Sequence, residues 1–170
     1  MDLLVIRHGA ARDRGEFAQT GLSDDLRPLT AEGADEMRKV ARGLRTQVKR
    51  IDFLATSPLV RAVQTAEIVA EAFGIEVSDT TTALIPEARL EEFEKWCAGV
   101  GPKKVIAVVG HEPHLSTLIT WLLSGERDSR VRLRKGGAAL LEFDSDVRRE
   151  SGTLGWLVTP RQLAANADSS

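Results

Sequence analysis

The residues best suited to chemistry are two arginines and two histidines at three separate points of the chain: Arg7-His8, Arg61 and His111. A guanidinium presents a planar fork of donors that matches phosphate oxygens, and it stays charged at any working pH. A neutral imidazole can attack phosphorus and form a covalent phosphohistidine, which divides one difficult transfer into two easier steps. We therefore interpret His8 as a nucleophile for phosphoryl transfer, with Arg7, Arg61 and His111 holding the phosphoryl oxygens. The arginines are expected to lower the pKa of His8 in the empty site.

The elements around these residues explain how they can meet. Apolar, β-branched runs predict strands at 3–7, 51–55 and 105–109, and each is followed by one of the three charged points. In a parallel α/β sheet, binding sites form beyond the carboxyl ends of the strands. Three distant stretches of the chain are therefore predicted to converge on one site.

The alternation of short strands with longer helical patterns predicts an α/β fold, a three-layer α/β/α sandwich around a mostly parallel sheet. Thr30 is a candidate helix N-cap, Ser57-Pro58 a helix start and Gly74 a helix end. A weaker strand is expected at 76–82 and a helix at 87–98, while 138–143 and 153–158 indicate antiparallel closing strands. We expect a single domain over residues 1–163 and a flexible tail over 164–170.

Composition excludes several classes of function. The 170 residues carry a net charge of -2, which gives no general electrostatic reason to expect nucleic acid or a membrane as partner. Cys97 is the only cysteine, and the apolar run before Arg7 is too short for a signal peptide, so a cytoplasmic location is expected. His111-Glu112-Pro113-His114 lacks the four-residue spacing of a helical zinc pair, and no nucleotide-binding glycine loop is present, so we predict neither metal nor cofactor. His114 is interpreted as structural or solvated.

Three segments resemble the signatures of the histidine phosphatase superfamily, which includes cofactor-dependent phosphoglycerate mutases and histidine acid phosphatases. They are residues 3–9 with Arg7-His8-Gly9, residues 57–66 with Arg61, and Val109-Gly110-His111. The segment 26–30 with Gly33, the short length and residues 159–163 are similar to the small SixA-type phosphohistidine phosphatases. The resemblance implies a phosphorylated nucleophile at His8, a phosphoryl site formed by Arg7, Gly9, Arg61 and His111, and a fold without a large helical cap.

The resemblance also implies a general acid between the second and third signatures. Glu87 is the best-placed candidate, whereas Glu91, Glu92 and Glu94 fit a solvated helix face better. An imidazole can leave phosphohistidine from an already protonated ring, so a branch acting on P–N bonds could do without a strong acid. The implied activity is hydrolysis of phosphohistidine in a partner protein, with a histidine phosphotransfer domain as one candidate partner. A small-molecule phosphomonoesterase or mutase and an inactive phospho-binding module are the alternatives.

Residues 130–135 alternate basic and apolar side chains. We interpret this segment as a half-buried edge strand whose charges discourage aggregation. The alternative is a docking strip for an acidic protein partner. The polar loop over residues 12–26 is long enough to close over a substrate.

Overall fold

A six-stranded sheet forms the centre of the computed structural model, which describes residues 1–167. Its strand order is β3-β2-β4-β1-β5-β6. β1, β2, β3 and β4 run parallel, whereas β5 and β6 pair antiparallel, so the predicted mixed sheet with antiparallel closing strands is confirmed. The strands are β1 (Asp2–Arg7), β2 (Phe53–Thr56), β3 (Asp79–Thr80), β4 (Val105–Gly110), β5 (Ala138–Glu142) and β6 (Thr153–Val158).

Helices cover both faces of the sheet and make the three layers that the sequence predicts. α2, α3 and α6 pack on one face, and α4 and α5 on the other. Within residues 1–167 there is no separate cap domain, and short 3₁₀ turns occupy Asp24–Leu26 and Thr82–Leu84. The helices are α1 (Arg14–Ala18), α2 (Ala31–Gln47), α3 (Val60–Phe73), α4 (Leu90–Val100), α5 (His114–Ser124) and α6 (Pro160–Ala167).

The two central strands are apolar throughout because each contributes to two cores. Along β1, Leu3 and Val5 join the core under α4 and α5, while Leu4 and Ile6 join the core under α2 and α3. All four are fully buried. This alternation follows from the two-residue period of a strand, and it fixes the register, since a slip of one residue would exchange the two sets.

Local signals set most helix ends. Thr30 caps α2 by accepting a hydrogen bond from Gly33 N at 2.9 Å, and Gly74 ends α3 with a positive φ of 66°. α3 begins at Val60, later than Ser57-Pro58 predicts, and the Ser57 hydroxyl bonds to His111 besides accepting from the Leu59 amide at 3.4 Å. α4 begins at Leu90 rather than at residue 87, and the strand expected at 76–82 shortens to the two residues of β3.

The C-terminal helix α6 corrects the expected chain end. It continues through Ala167, so residues 164–167 are helical where the sequence predicts a tail, and residues 168–170 lie outside the described part. α6 packs closely on α2 at Gly43, where an added Cβ would stand 1.9 Å from the carbonyl oxygen of Leu163. That contact needs glycine at position 43, and it explains why the helix stays on the domain.

The basic segment 130–135 is not the edge strand that its alternating pattern suggests. Its backbone is irregular, although Leu133 is fully buried and Val131 packs against the same core. The alternation therefore reflects anchoring by two apolar side chains and not sheet pairing. A prediction from period alone fails here because residues 130–135 form no strand ladder, and the chain joins the end of β1 only just beyond them, where the N–H of Gly136 donates to the Arg7 and His8 carbonyls.

Candidate active site

The sheet register brings the two predicted histidines together. Arg7, the last residue of β1, pairs with Gly110, the last residue of the parallel neighbour β4. His8 and His111 therefore directly follow the ends of two adjacent strands. The His8 amide donates to the Gly110 carbonyl at 3.1 Å, and the two ring centroids lie 4.9 Å apart. Both side chains are buried. The convergence predicted from the strand ends is therefore present.

The tautomer of His8 is set by the backbone. Its Nδ1 lies 2.7 Å from the carbonyl oxygen of Gly9, and because a carbonyl only accepts, Nδ1 carries the proton. Nε2 then holds the lone pair. The geometry thus presents one ring nitrogen as a base or nucleophile.

Burial makes this nitrogen available at neutral pH. The pKa of His8 falls to about 3, mainly through burial, with the charges of Arg61, Arg7 and Lys135 adding to the effect against the Gly9 hydrogen bond. The arginines do lower this pKa, but they rank behind loss of solvation. His8 is therefore neutral in the empty site at pH 7, the form that can attack an electrophile.

His111 is fixed by a hydroxyl that the sequence suggested only as a helix cap. Its Nε2 lies 2.8 Å from Ser57 Oγ, and its buried Nδ1 has no partner among the described residues. Burial, followed by the neighbouring His8 and Arg61, lowers the pKa of His111 to about 2. His111 is therefore a neutral ring in the empty site, and binding of an anion would favour its protonated form.

Arg7 is tied to the irregular segment beside the site. Its Nη1 donates to the Leu133 carbonyl at 2.8 Å, while its buried Nε has no partner in residues 1–167. Burial lowers the pKa of Arg7, and the Glu112 carboxylate opposes that shift. The guanidinium is thus held by a carbonyl on one side and keeps donor capacity on the other.

Arg61 lies in the first turn of α3, almost completely buried, and a loop carboxylate holds it. Its Nη1 donates to the Asp24 carbonyl at 3.0 Å, and its Nη2 stands 3.3 Å from Asp24 Oδ2. Arg27, also buried, binds the other oxygen of the same carboxylate at 2.7 Å. The pKa of Asp24 is lowered, first by the Arg27 hydrogen bond. The loop over residues 12–26 is therefore fastened to the predicted phosphoryl site.

Gly9 acts beneath the cleft. Its N–H donates to Thr65 Oγ1 at 3.1 Å, and the same hydroxyl donates to the Arg61 carbonyl at 2.7 Å. A Cβ at this position would lie 2.5 Å from Met37 Cγ, so only glycine lets the chain pass over α2. The structure gives Gly9 a packing position and commits its amide to Thr65.

One cleft of about 1160 Å³ is lined by Arg7, His8, Arg61 and His111. Glu87 lines it too, as an exposed residue in the turn before α4, whereas Glu91 pairs with Arg127 and Glu94 accepts from the Arg149 amide. The sequence reasoning missed further residues of the cleft or its frame. Arg27 and Thr65 lie in family-like segments, and Asp24, Glu112 and Lys135 lie in segments that the sequence singled out for other reasons, but none of the five was given a role in the site.

His114 belongs to the structural frame, in agreement with its interpretation from the sequence. It is buried at the start of α5, and neither ring nitrogen has a hydrogen-bond partner in the described chain. Burial lowers its pKa to about 4. It does not line the cleft. Throughout residues 1–167, no group of three or more acidic, histidine or cysteine side chains is arranged to hold a metal ion.

The three lowered histidine pKa values predict acid sensitivity. A histidine has a pKa near 6.5 in the unfolded chain, whereas the pKa values of His8, His111 and His114 are lower in the folded protein. As the pH falls below 7, the unfolded chain therefore takes up protons at these residues before the folded protein does. Their contribution to stability is complete above pH 6.5 and is lost on the way down to the folded values. Each adds a slope of about 1.4 kcal/mol per pH unit in that window.

We therefore expect the melting temperature to fall steadily between pH 7 and pH 4.5 in buffers without phosphate. Calorimetry of the wild type beside His114→Leu checks this, because the variant removes one of the three titrating groups and should show a shallower decline. The lowered pKa of Asp24 acts in the same direction, but it titrates from its ordinary value of 3.8 downward, so its effect falls mostly below this window. A melting temperature that stays level or rises toward pH 4.5 would contradict the prediction.

Comparison with known proteins agrees with this fold and arrangement. The sequence model of the histidine phosphatase superfamily (branch 1) matches residues 3–94, more than half of the chain. An uncharacterized protein of Picosynechococcus sp. is 34% identical over 141 residues, 81% of this chain and 82% of that one. The chain therefore belongs to the histidine phosphatase superfamily, as its three signatures predict.

Within the superfamily the similarity to SixA covers almost the whole chain. The phosphohistidine phosphatase SixA of Escherichia coli (strain K12) is 28% identical over 96% of both chains. The structure of the protein histidine phosphatase SixA complexed with tungstate superposes with a TM-score of 0.79, covering 96% of this chain and 99% of that one. Membership and similarity together support phosphatase activity. None of the helices in residues 1–167 has the length and apolar character needed to cross a membrane.

Proposed function

We propose that this protein is a phosphohistidine phosphatase that acts on a phosphorylated partner protein through a covalent intermediate on His8. The observation that carries the proposal is the neutral His8, with its proton on Nδ1 and its lone pair on Nε2, beside the buried Arg61 and the half-buried Arg7. The buried Nε atoms of Arg7 and Arg61 have no partner among the described residues. A bound oxyanion would supply acceptors to such donors.

In the first step, His8 Nε2 attacks phosphorus, the Nε2–P bond forms, and the bond from phosphorus to the leaving nitrogen breaks. The leaving imidazole departs neutral when its ring is already protonated. Arg7 and Arg61 hold the equatorial oxygens, and the N-terminal turn of α3 adds its partial positive charge. His111, 4.9 Å from His8 between ring centroids, stabilises the same charge.

In the second step, water attacks the phosphorus of the intermediate. The P–Nε2 bond breaks, inorganic phosphate leaves, and His8 regains the lone pair on Nε2. The Gly9 carbonyl keeps Nδ1 protonated during both steps, so the leaving His8 ring departs as a neutral imidazole. The site needs no metal ion for this chemistry.

A protein-borne substrate is supported by two observations. The relatives that match nearly the full length of this chain include a protein named phosphohistidine phosphatase. The cleft also lacks a cap domain within residues 1–167, so a phosphoryl group on a protein surface can reach it. A histidine phosphotransfer domain is a partner of the right chemistry.

The decisive experiment compares leaving groups in wild type and Glu87→Gln. An alkoxide leaving from phosphoserine needs a proton, so loss of the Glu87 acid should lower kcat/KM on that substrate about 10²-fold. Hydrolysis of phosphohistidine should fall less than about threefold, because its leaving ring brings its own proton. Glu92→Gln, on the same stretch of chain but outside the cleft, is the matched control. A large loss on phosphohistidine, or no hydrolysis of it by wild type, would contradict the proposal.

A small-molecule phosphomonoesterase or mutase is the second candidate. The probable phosphoglycerate mutase GpmB of Klebsiella pneumoniae subsp. pneumoniae is 33% identical over 77% of this chain, but the match spans only 54% of that protein. Assay of phosphorylated metabolites beside the phosphohistidine protein separates the two candidates. Higher kcat/KM on a metabolite would favour the second.

A further inference from the structure

The segment 130–135 carries four exposed cations, and it adjoins the cleft, which Lys135 lines. Arg130, Arg132, Arg134 and Lys135 are all exposed, and in the part of the chain that the structure describes none has a carboxylate at salt-bridge distance. Other exposed arginines, such as Arg38 with Asp35, do pair with acids. The four charges are therefore available to a partner.

This segment is joined to the site by hydrogen bonds. Its buried Leu133 accepts from Arg7 Nη1 at 2.8 Å, and Gly136 N donates to the carbonyls of Arg7 and His8 at 3.1 Å. Lys135 lines the cleft and contributes to the low pKa of His8. The exposed cations thus hold a fixed position relative to the proposed nucleophile, which a flexible basic loop would not provide.

We propose that Arg130, Arg132, Arg134 and Lys135 form a docking surface for the acidic face of the protein that carries the phosphoryl group. The proposal rests on the proposed function for its substrate. It adds that the partner protein carries acidic residues beside the phosphorylated one. Six residues extend on the order of 20 Å at most, so the surface matches an acidic patch of similar length beside the phosphorylated residue. Complementary charge raises the rate of encounter and fixes orientation more than it adds affinity.

An acidic protein fits the cleft better than a nucleic acid does. The lining of the cleft includes the carboxylates of Asp13, Asp25 and Glu87 as well as arginines. A nucleic acid carries negative charge along its whole length and would meet these acids. A protein can present carboxylates to the cations and a neutral surface to the acids.

The test uses two synthetic peptides that each contain one phosphohistidine, flanked by glutamates in one and by serines in the other. Wild type should hydrolyse the acidic peptide with about tenfold higher kcat/KM at low salt, and the preference should shrink as salt screens the charges. Arg132→Glu/Arg134→Glu should remove the preference and leave free phosphohistidine hydrolysis unchanged. Arg132→Gln/Arg134→Gln, which adds no repulsion, should give an intermediate value.

The matched control is Arg42→Glu/Arg45→Glu, which makes the same charge change at exposed positions of α2 outside the cleft. It should keep the peptide preference. A lysine-flanked peptide should become the better substrate of Arg132→Glu/Arg134→Glu, which a merely unfolded variant would not show. Equal rates on the acidic and serine peptides in wild type would overturn the docking surface while leaving the proposed function intact.

If neither peptide is hydrolysed but p-nitrophenyl phosphate is, the proposed function fails separately. The docking surface is then measured with the same flanks around phosphoserine, and equal rates there overturn it. A single-stranded DNA oligonucleotide serves as competitor. In one outcome the oligonucleotide inhibits at concentrations below the KM of the acidic peptide, and that inhibition is lost in Arg132→Glu/Arg134→Glu. This result would assign the surface to nucleic acid instead.

Discussion

His8→Asn is expected to abolish turnover, with kcat lowered by about 10⁴-fold or more, because the proposed covalent intermediate forms on His8. The Asn amide keeps a polar group against the Gly9 carbonyl but offers no lone pair for attack. Steady-state assays on phosphohistidine and p-nitrophenyl phosphate measure the loss. Brief exposure to labelled substrate, followed by quenching in base, should trap phosphoenzyme in wild type and none in this variant.

His111→Asn is the comparison that separates nucleophile from charge stabiliser. This variant should still accumulate label on His8, at a lower rate, since the attacking nitrogen is intact. Thermal unfolding of both variants controls for the loss of a buried ring. Label or turnover that survives in His8→Asn would refute the assignment of His8. Failure of the wild type to take up label, with tight binding of the substrate retained, would instead favour an inactive phospho-binding module.

Arg61→Ala is expected to give the second largest effect, about 10³-fold in kcat/KM, because a buried guanidinium that holds the transferring group acts mainly in the transition state. Arg61→Lys should recover only part of the rate, since an ammonium lacks the planar fork. Arg38→Ala, which breaks an exposed pair on α2, should leave the rate unchanged. These rates are measured on phosphohistidine and on p-nitrophenyl phosphate.

The Asp24 carboxylate, which pairs with Arg61, provides a second variant that tests this prediction. In Arg61→Ala the carboxylate keeps Arg27 but loses the cation that separates it from the phosphoryl group. Adding Asp24→Asn should therefore restore about tenfold of the lost rate by removing repulsion. A rate for Arg61→Ala within threefold of wild type would show that Arg61 does not contact the transferred group.

The sequence predicted the site well where chemistry and architecture coincide. His8, Arg61 and His111 each follow a strand, and parallel strands end at one edge, so their convergence needs no detailed coordinates. The fold class followed from the same alternation. The family signatures added proposed roles that residue types alone leave open, and the match over residues 3–94 confirms the family itself.

The residues that support the site could not be predicted from the sequence, for a physical reason. Ser57 and Thr65 act through hydrogen bonds to residues more than fifty positions away, and polar side chains of this type are common on any helix start. The irregular path of residues 130–135 depends on backbone bonds to Arg7 and His8, which no periodicity reports. Asp24 joins two arginines only because the loop folds back over α3.

The pairing of Arg7 with Gly110 has a wider consequence. Neighbouring strands in any sheet lie about 4.8 Å apart, and the two imidazole centroids are 4.9 Å apart. The distance between the two histidines is thus set by the pairing of β1 with β4 and does not depend on the surrounding loops. Loops such as 12–26 and 81–89 can accept insertions and new side chains, and so new substrates, without disturbing the distance on which the chemistry depends.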